Sequence, residues 1–82
     1  MEYAFAVSRA IRLWHQQTGR SISARDMEVS SYNTGVNSSG KTFIVLRFSV
    51  DNTRAVYLKN SEFKDKEFEH LEIEGNSHAV RS

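Results

Sequence analysis

The chain has 82 residues, contains no cysteine, and carries a net charge of +1. A chain of this length forms one small domain that buries about 60% of its unfolded surface. The lack of cysteine excludes disulfides and thiolate metal sites, and no apolar run is long enough to span a membrane. We therefore expect a soluble cytoplasmic protein with one domain over residues 1–75 and a loose tail over residues 76–82.

Charge is divided unequally along the chain. Residues 1–60 contain eight Lys or Arg and four Asp or Glu, a net charge of +4, whereas residues 61–82 contain three and six, a net charge of −3. These opposite charges favour attraction between the two parts of the folded chain. The total of +1 is well below the charge typical of strongly basic nucleic-acid-binding domains.

Residues Glu2–Gln17 have the periodicity of an amphipathic helix that ends near Gly19. Its polar side also carries a stripe formed by Phe5, Arg9 and Arg12. Aromatic residues and Arg are enriched at binding hot spots, so this helix stripe is a candidate partner-binding site. The alternative is that Phe5 is covered by another segment or is simply exposed.

The rest of the chain predicts strands. A short capped turn at Ser23–Asp26 precedes a weak strand over Met27–Tyr32. The β-branched and aromatic residues of Thr42–Val50 predict the central strand, and further strands follow at Ala55–Lys59 and His70–Glu74. We predict an α+β fold in which one N-terminal amphipathic helix packs on an antiparallel meander of three to four strands.

This element order is similar to that of cystatin-like folds, in which a meander wraps one helix. The inhibitory Gln-x-Val-x-Gly pattern of cystatins is absent from Tyr32–Gly40. The resemblance therefore implies an architecture and no activity.

Residues Gly35–Thr42 read GVNSSGKT and match the phosphate-loop pattern G-x-x-x-x-G-K-[ST]. A working phosphate loop opens a helix whose N-terminus faces the phosphates, but a strand follows Lys41 here. We interpret Asn33–Lys41 as a flexible hairpin loop in which Gly35 and Gly40 adopt backbone angles that other residues resist. No nucleotide is expected.

The hydrophobic pattern predicts how the central strand pairs with the next strand, because a shift of one residue would exchange the two faces. Placing Val50 opposite Val56 puts Leu58 on the core side and requires a five-residue loop, Asp51–Ala55. The opposite face of the sheet then carries two adjacent groups. One is apolar, with Phe43 and Val45, and the other is basic and aromatic, with Tyr32, Arg47, Tyr57 and Lys59.

That outward face has three interpretations: the C-terminal segment covers it, a protein partner or second copy binds it, or it stacks nucleic-acid bases. Our first hypothesis is a small non-enzymatic protein-interaction module, of adaptor or inhibitor type and monomeric or homodimeric. It would bind through Phe43 and Val45 or through the helix stripe. The alternative is a nucleic-acid-binding domain that uses Tyr32, Lys41, Arg47, Tyr57 and Lys59.

An enzyme is the least favoured class, since the sequence has neither a cysteine nucleophile nor a glycine-flanked serine elbow. The acidic stretch Glu67–Glu74 contains one histidine, His70, and reads as a solvent-facing strand rather than a metal site. We expect no cofactor and no metal.

Overall fold

The computed structural model describes residues 3–36, 38, 40–60 and 68–74. Its elements are a helix α1 (Ala4–Thr18), a 3-10 turn (Ala24–Asp26) and strands β1 (Glu28–Val36), β2 (Thr42–Val50), β3 (Thr53–Asn60) and β4 (Phe68–Ile73). The strands form one antiparallel sheet in the order β1-β2-β3-β4. The predicted α+β fold is confirmed, and the predicted tail, residues 76–82, lies outside the described residues.

Helix α1 buries one face against the sheet, and that face includes Ala6, Val7, Ala10 and Trp14. Two of these are alanines, whose small side chains allow the helix axis to approach the strands closely. The helix stops at Gly19, whose left-handed φ of 79° lets its N–H donate to the His15 carbonyl. The predicted helix and its stop are both confirmed.

The core lies between α1 and one face of the sheet, which we call the inner face. Residues that alternate along β2, β3 and β4 supply most of it, because successive strand residues point to opposite faces. The fully or nearly fully buried strand residues are Leu46, Phe48, Val50, Ala55, Tyr57, Leu71 and Ile73. The Trp14 and Phe48 rings meet at 6.1 Å between centroids and join the helix to β2.

The turn between β2 and β3 has two residues, Asp51 and Asn52, and Val50 lies opposite Thr53. The predicted five-residue loop and the predicted register are therefore wrong. Asp51 and Asn52 have φ values of 52° and 67°, the positive pair that the tightest hairpin turns require, and Asp and Asn tolerate this conformation better than most residues. The tight turn shifts β3 so that its inner residues are Ala55 and Tyr57.

The turn can be tested at Asn52. We expect Asn52→Ala to lower the free energy of unfolding by about 1 kcal/mol, because alanine is strained at positive φ. Asn52→Gly should keep or slightly raise stability, since glycine adopts that conformation without strain. Urea denaturation of both variants measures the difference. Equal stability of the alanine and glycine variants would contradict the observed turn.

The phosphate-loop match lies across a hairpin between two antiparallel strands. Gly35 is within β1, and Thr42 is the first residue of β2, so no helix follows the motif. The expected left-handed backbone occurs at Gly40, with φ of 81°, and the same expectation for Gly35 is wrong. Gly35 is instead covered by the Phe43 ring, which would lie 3.0 Å from an added Cβ. A larger residue at position 35 would displace that ring.

Candidate interaction site

The face of the sheet opposite α1, here called the outer face, carries a cluster of apolar side chains. We define the outer patch as Phe43 and Val45 from β2 together with Val56 and Leu58 from β3. Val45 lies directly opposite Leu58, and Val56 is the neighbour of both along the diagonal or the strand. All four side chains are half-buried. Neighbouring strands thus build one continuous apolar surface on the side away from the helix.

Two depressions adjoin the outer patch. One of ≈ 470 Å³ is lined by residues that include Ser30, Arg47, Ser49, Arg54 and Val56. The other, of ≈ 230 Å³, is bordered by residues that include Phe43, Val45 and Leu58. The first has polar and cationic side chains around an apolar floor, and the second is mainly apolar. The outer face is therefore contoured rather than flat.

Charges of both signs surround the outer patch. Along one row of the sheet, Arg47 lies opposite Val56, which in turn lies opposite Glu72. In the next row, Glu28 lies opposite Ser49, which lies opposite Arg54. Among the described residues of these two rows, two arginines and two carboxylates balance each other, and Lys59 lines the smaller depression.

A second cluster of polar side chains lies on the inner side and joins α1 to β3 and β4. The Arg9 guanidinium binds the Glu69 carboxylate through Nε, at 2.8 Å, and through Nη2, at 2.6 Å. The Tyr57 hydroxyl donates to the same carboxylate at 2.6 Å. We call this the Arg9–Glu69–Tyr57 cluster. It joins the basic first part of the chain to the acidic second part, as the charge division predicted.

The cluster shifts the pKa values of its members. The hydrogen bonds from Arg9 are the main reason that the pKa of Glu69 falls to about 2. Burial, followed by the hydrogen bond to Glu69, raises the pKa of Tyr57 well above its ordinary range. The same carboxylate raises the pKa of Arg9. These groups satisfy one another and stay in the charge states that hold the helix against the sheet.

The helix stripe is only partly available to a partner. Arg9 is engaged by Glu69, and its side chain is 33% exposed. Phe5 is 56% exposed, and the Lys59 ammonium lies 4.8 Å from the centre of its ring, a cation–π contact. Arg12 is exposed. Two of the three stripe residues therefore contact β3 or β4, and the stripe is not a separate solvent-facing surface.

The five residues of the nucleic-acid alternative do not share a surface. Tyr57 is fully buried in the core, and Lys59 follows it on the inner side of β3. Tyr32 lies opposite Leu46 on the inner face and contacts the Tyr3 ring at 5.1 Å. Arg47 alone stands on the outer face, while Lys41 lies just before β2. The predicted shared surface is not formed. The β2–β3 register turns Tyr57 and Lys59 to the inner face, and the bulge between Val29 and Ser31 does the same to Tyr32.

Sequence reasoning placed Phe43 and Val45 on the outer face and missed Val56 and Leu58. The signal that could have found them is the dipeptide Asp51-Asn52, which suits a two-residue turn. A two-residue turn sets which residues of β3 face the core. Glu69 gave no local signal, because its partner Arg9 is 60 residues away.

No family model matches the chain, and no curated protein or solved structure was found to be similar to it. The resemblance to cystatin-like folds thus rests on element order alone. In the described part of the chain, no helix is both long and apolar enough to cross a membrane. The described residues contain no group of three or more His, Cys, Asp or Glu side chains that could hold a metal ion.

Proposed function

We propose that the chain is a non-enzymatic protein-interaction module that binds a partner protein through the outer patch. The observation that carries this proposal is the continuity of Phe43, Val45, Val56 and Leu58 on the sheet face opposite α1. Apolar side chains at this position contribute nothing to the helix-covered core. They offer surface whose removal from water favours association.

The surroundings of the patch support the same proposal. Interfaces typically combine an apolar centre with a polar rim, and Arg is one of the residues enriched in them. Here Arg47 and Arg54 border the patch on one side, and Glu72 stands beside it on β4. A partner with an apolar ridge and flanking charges of both signs would fit this arrangement. The presence of carboxylates beside the arginines favours a protein over the polyanionic backbone of a nucleic acid.

The test compares two surfaces of the same molecule. The patch variant carries Val45→Ser and Leu58→Ser, and the matched control carries Phe5→Ser and Arg12→Ser on the helix stripe. Wild-type and variant chains serve as baits in quantitative affinity purification, and recovered partners are then titrated as purified proteins. We expect the patch variant to weaken binding at least about 30-fold, as loss of a hot spot does, while the control binds like wild type.

We expect both variants to fold, because the substituted positions lie outside the core. Circular dichroism and urea denaturation check this. Amide shifts of the labelled chain on adding a purified partner should map to β2 and β3. A partner that binds the patch variant with wild-type affinity would contradict the proposal. Loss of binding in the helix variant alone would move the site to the helix stripe.

A further inference from the structure

The two edge strands of the sheet differ in how they are protected. At β4, the side-chain amide of Gln17 donates to the Leu71 carbonyl at 2.8 Å, so α1 occupies a backbone acceptor of that strand. Strand β4 also carries Glu72, an exposed carboxylate that disfavours pairing with a second copy of itself. Both features are recognised ways of protecting an edge strand from pairing.

Edge strand β1 has fewer such protections. It is nine residues long, and residues 29–36 include no charged side chain. Within the described part of the chain, its side-chain hydrogen bonds, from Ser30 Oγ and Thr34 Oγ1, both go to carbonyls of β2. A bulge between Val29 and Ser31 interrupts the first part of the strand and leaves the stretch from Ser31 to Val36 regular. Among the strands that the structure describes, only β2 lies beside that stretch, so its other side presents backbone donors and acceptors at the end of the sheet.

An exposed apolar side chain marks the same stretch. Val36 lies at the end of β1 opposite Thr42 and is 65% exposed although its side chain is apolar. Tyr32, four residues earlier on the same face, is half-buried. Pairing with another strand would shelter Val36 if an apolar or aromatic residue lay opposite it.

We propose that two copies of this chain pair through β1, antiparallel to each other, and form one continuous eight-stranded sheet. In such a pair, residues that lie opposite each other must point to the same face of the sheet. A two-fold axis at Thr34 meets this condition and places Val36 opposite Tyr32 of the second copy. Because residues 29–36 are uncharged, the self-pairing brings no like charges together. The edge is distinct from the outer patch, so the two proposals stand separately.

The lack of cysteine in the chain permits a direct test. Residues at the two-fold axis of an antiparallel pair have Cα atoms about 4.5–5.5 Å apart, within the range of disulfides. Thr34→Cys should therefore form a covalent dimer under mild oxidation. Glu72→Cys, exposed on the opposite edge strand, is the control. We expect crosslinking of the first variant to be at least about tenfold faster, because pairing raises the local thiol concentration.

Sedimentation velocity without any cysteine completes the test. Wild type should sediment as a dimer, and Thr34→Lys, which places two ammonium groups at the axis, should be monomeric. Ser8→Lys on the exposed side of α1 and the outer-patch variant should both remain dimeric. A wild-type monomer at the highest soluble concentration would overturn the proposal. So would equal crosslinking rates for the two cysteine variants. Neither result would bear on the outer patch.

Discussion

Tyr57→Ala is expected to cost about 3–5 kcal/mol in free energy of unfolding, as truncation of a buried aromatic ring does. Tyr57 is 0% exposed and lies in the centre of β3, opposite Leu46 and Leu71. A domain of this size has a total stability of about 4–12 kcal/mol, so the variant should be largely or wholly unfolded at 37 °C. Urea denaturation followed by circular dichroism, at low temperature if needed, measures the loss.

The matched control is Leu58→Ala, one position along the same strand. Leu58 is on the outer face and half-buried, so its truncation should cost about 1 kcal/mol or less. The pair of variants tests the register itself. In the register predicted from the hydrophobic pattern, Leu58 would be the core residue and the order of the two costs would be reversed.

Glu69→Gln is expected to destabilise the fold by about 2 kcal/mol at neutral pH, since it weakens hydrogen bonds to a charged group. The Glu69 carboxylate accepts from Arg9 and from Tyr57, and its side chain is only 20% exposed. That residual contact with water makes the cost smaller than the pKa shift alone implies. Arg20→Gln is the control, because the Arg20–Asp51 pair is 61% and 74% exposed and should contribute within about 0.5 kcal/mol.

The pH dependence follows from the direction of the Glu69 shift. The folded chain holds the pKa of Glu69 at about 2, below its ordinary value of 4.5, so this contribution is complete above pH 4.5. It is lost as the pH falls towards 2. The unfolding free energies of wild type and Glu69→Gln should therefore converge over this acid range. A constant difference across the range would show that Glu69 acts through packing alone.

At the alkaline end the sign is reversed, and the responsible group is Tyr57. Burial raises the pKa of its hydroxyl above the ordinary value of 10.0, so the folded chain keeps a proton that the unfolded chain loses. Stability should fall as the pH rises above 10. Tyr57→Phe has no such proton, and its stability should decline less steeply over that range.

Much of the architecture follows from local pattern. The helix has a clear 3.6-residue period, and the run from Thr42 to Val50 alternates with the residues that pleated sheets favour. The short turn before β1 is formed by the predicted capping pair, with the Ser23 N–H donating to the Asp26 carboxylate at 2.9 Å. These elements depend on residues within a few positions of one another, so sequence reasoning reached them.

The faces of β3 required information from elsewhere. Val56 and Leu58 are more apolar than Ala55 and Tyr57, so hydrophobicity favours the register that does not form. The observed register places the Tyr57 hydroxyl within reach of Glu69 on β4, which satisfies a polar group in the core. It also uses the tight turn at Asp51 and Asn52. Glu69 lies 12 residues from Tyr57, and the turn depends on the backbone preferences of Asp51 and Asn52. Neither of these is visible in the alternation of β3 itself.

The pairing of Arg9 with Glu69 also bears on how the chain folds as it is synthesised. These residues are 60 positions apart, and α1 packs on β4 as well as on β2. At about 5–20 residues per second, a ribosome takes about 3–12 s to add the segment between them. Throughout that interval the apolar face of α1 has no β4 to cover it. The nascent chain therefore passes through a stage in which α1 lacks one of the strands that cover it in the folded protein, and transiently exposed apolar surface of this kind is what chaperones protect.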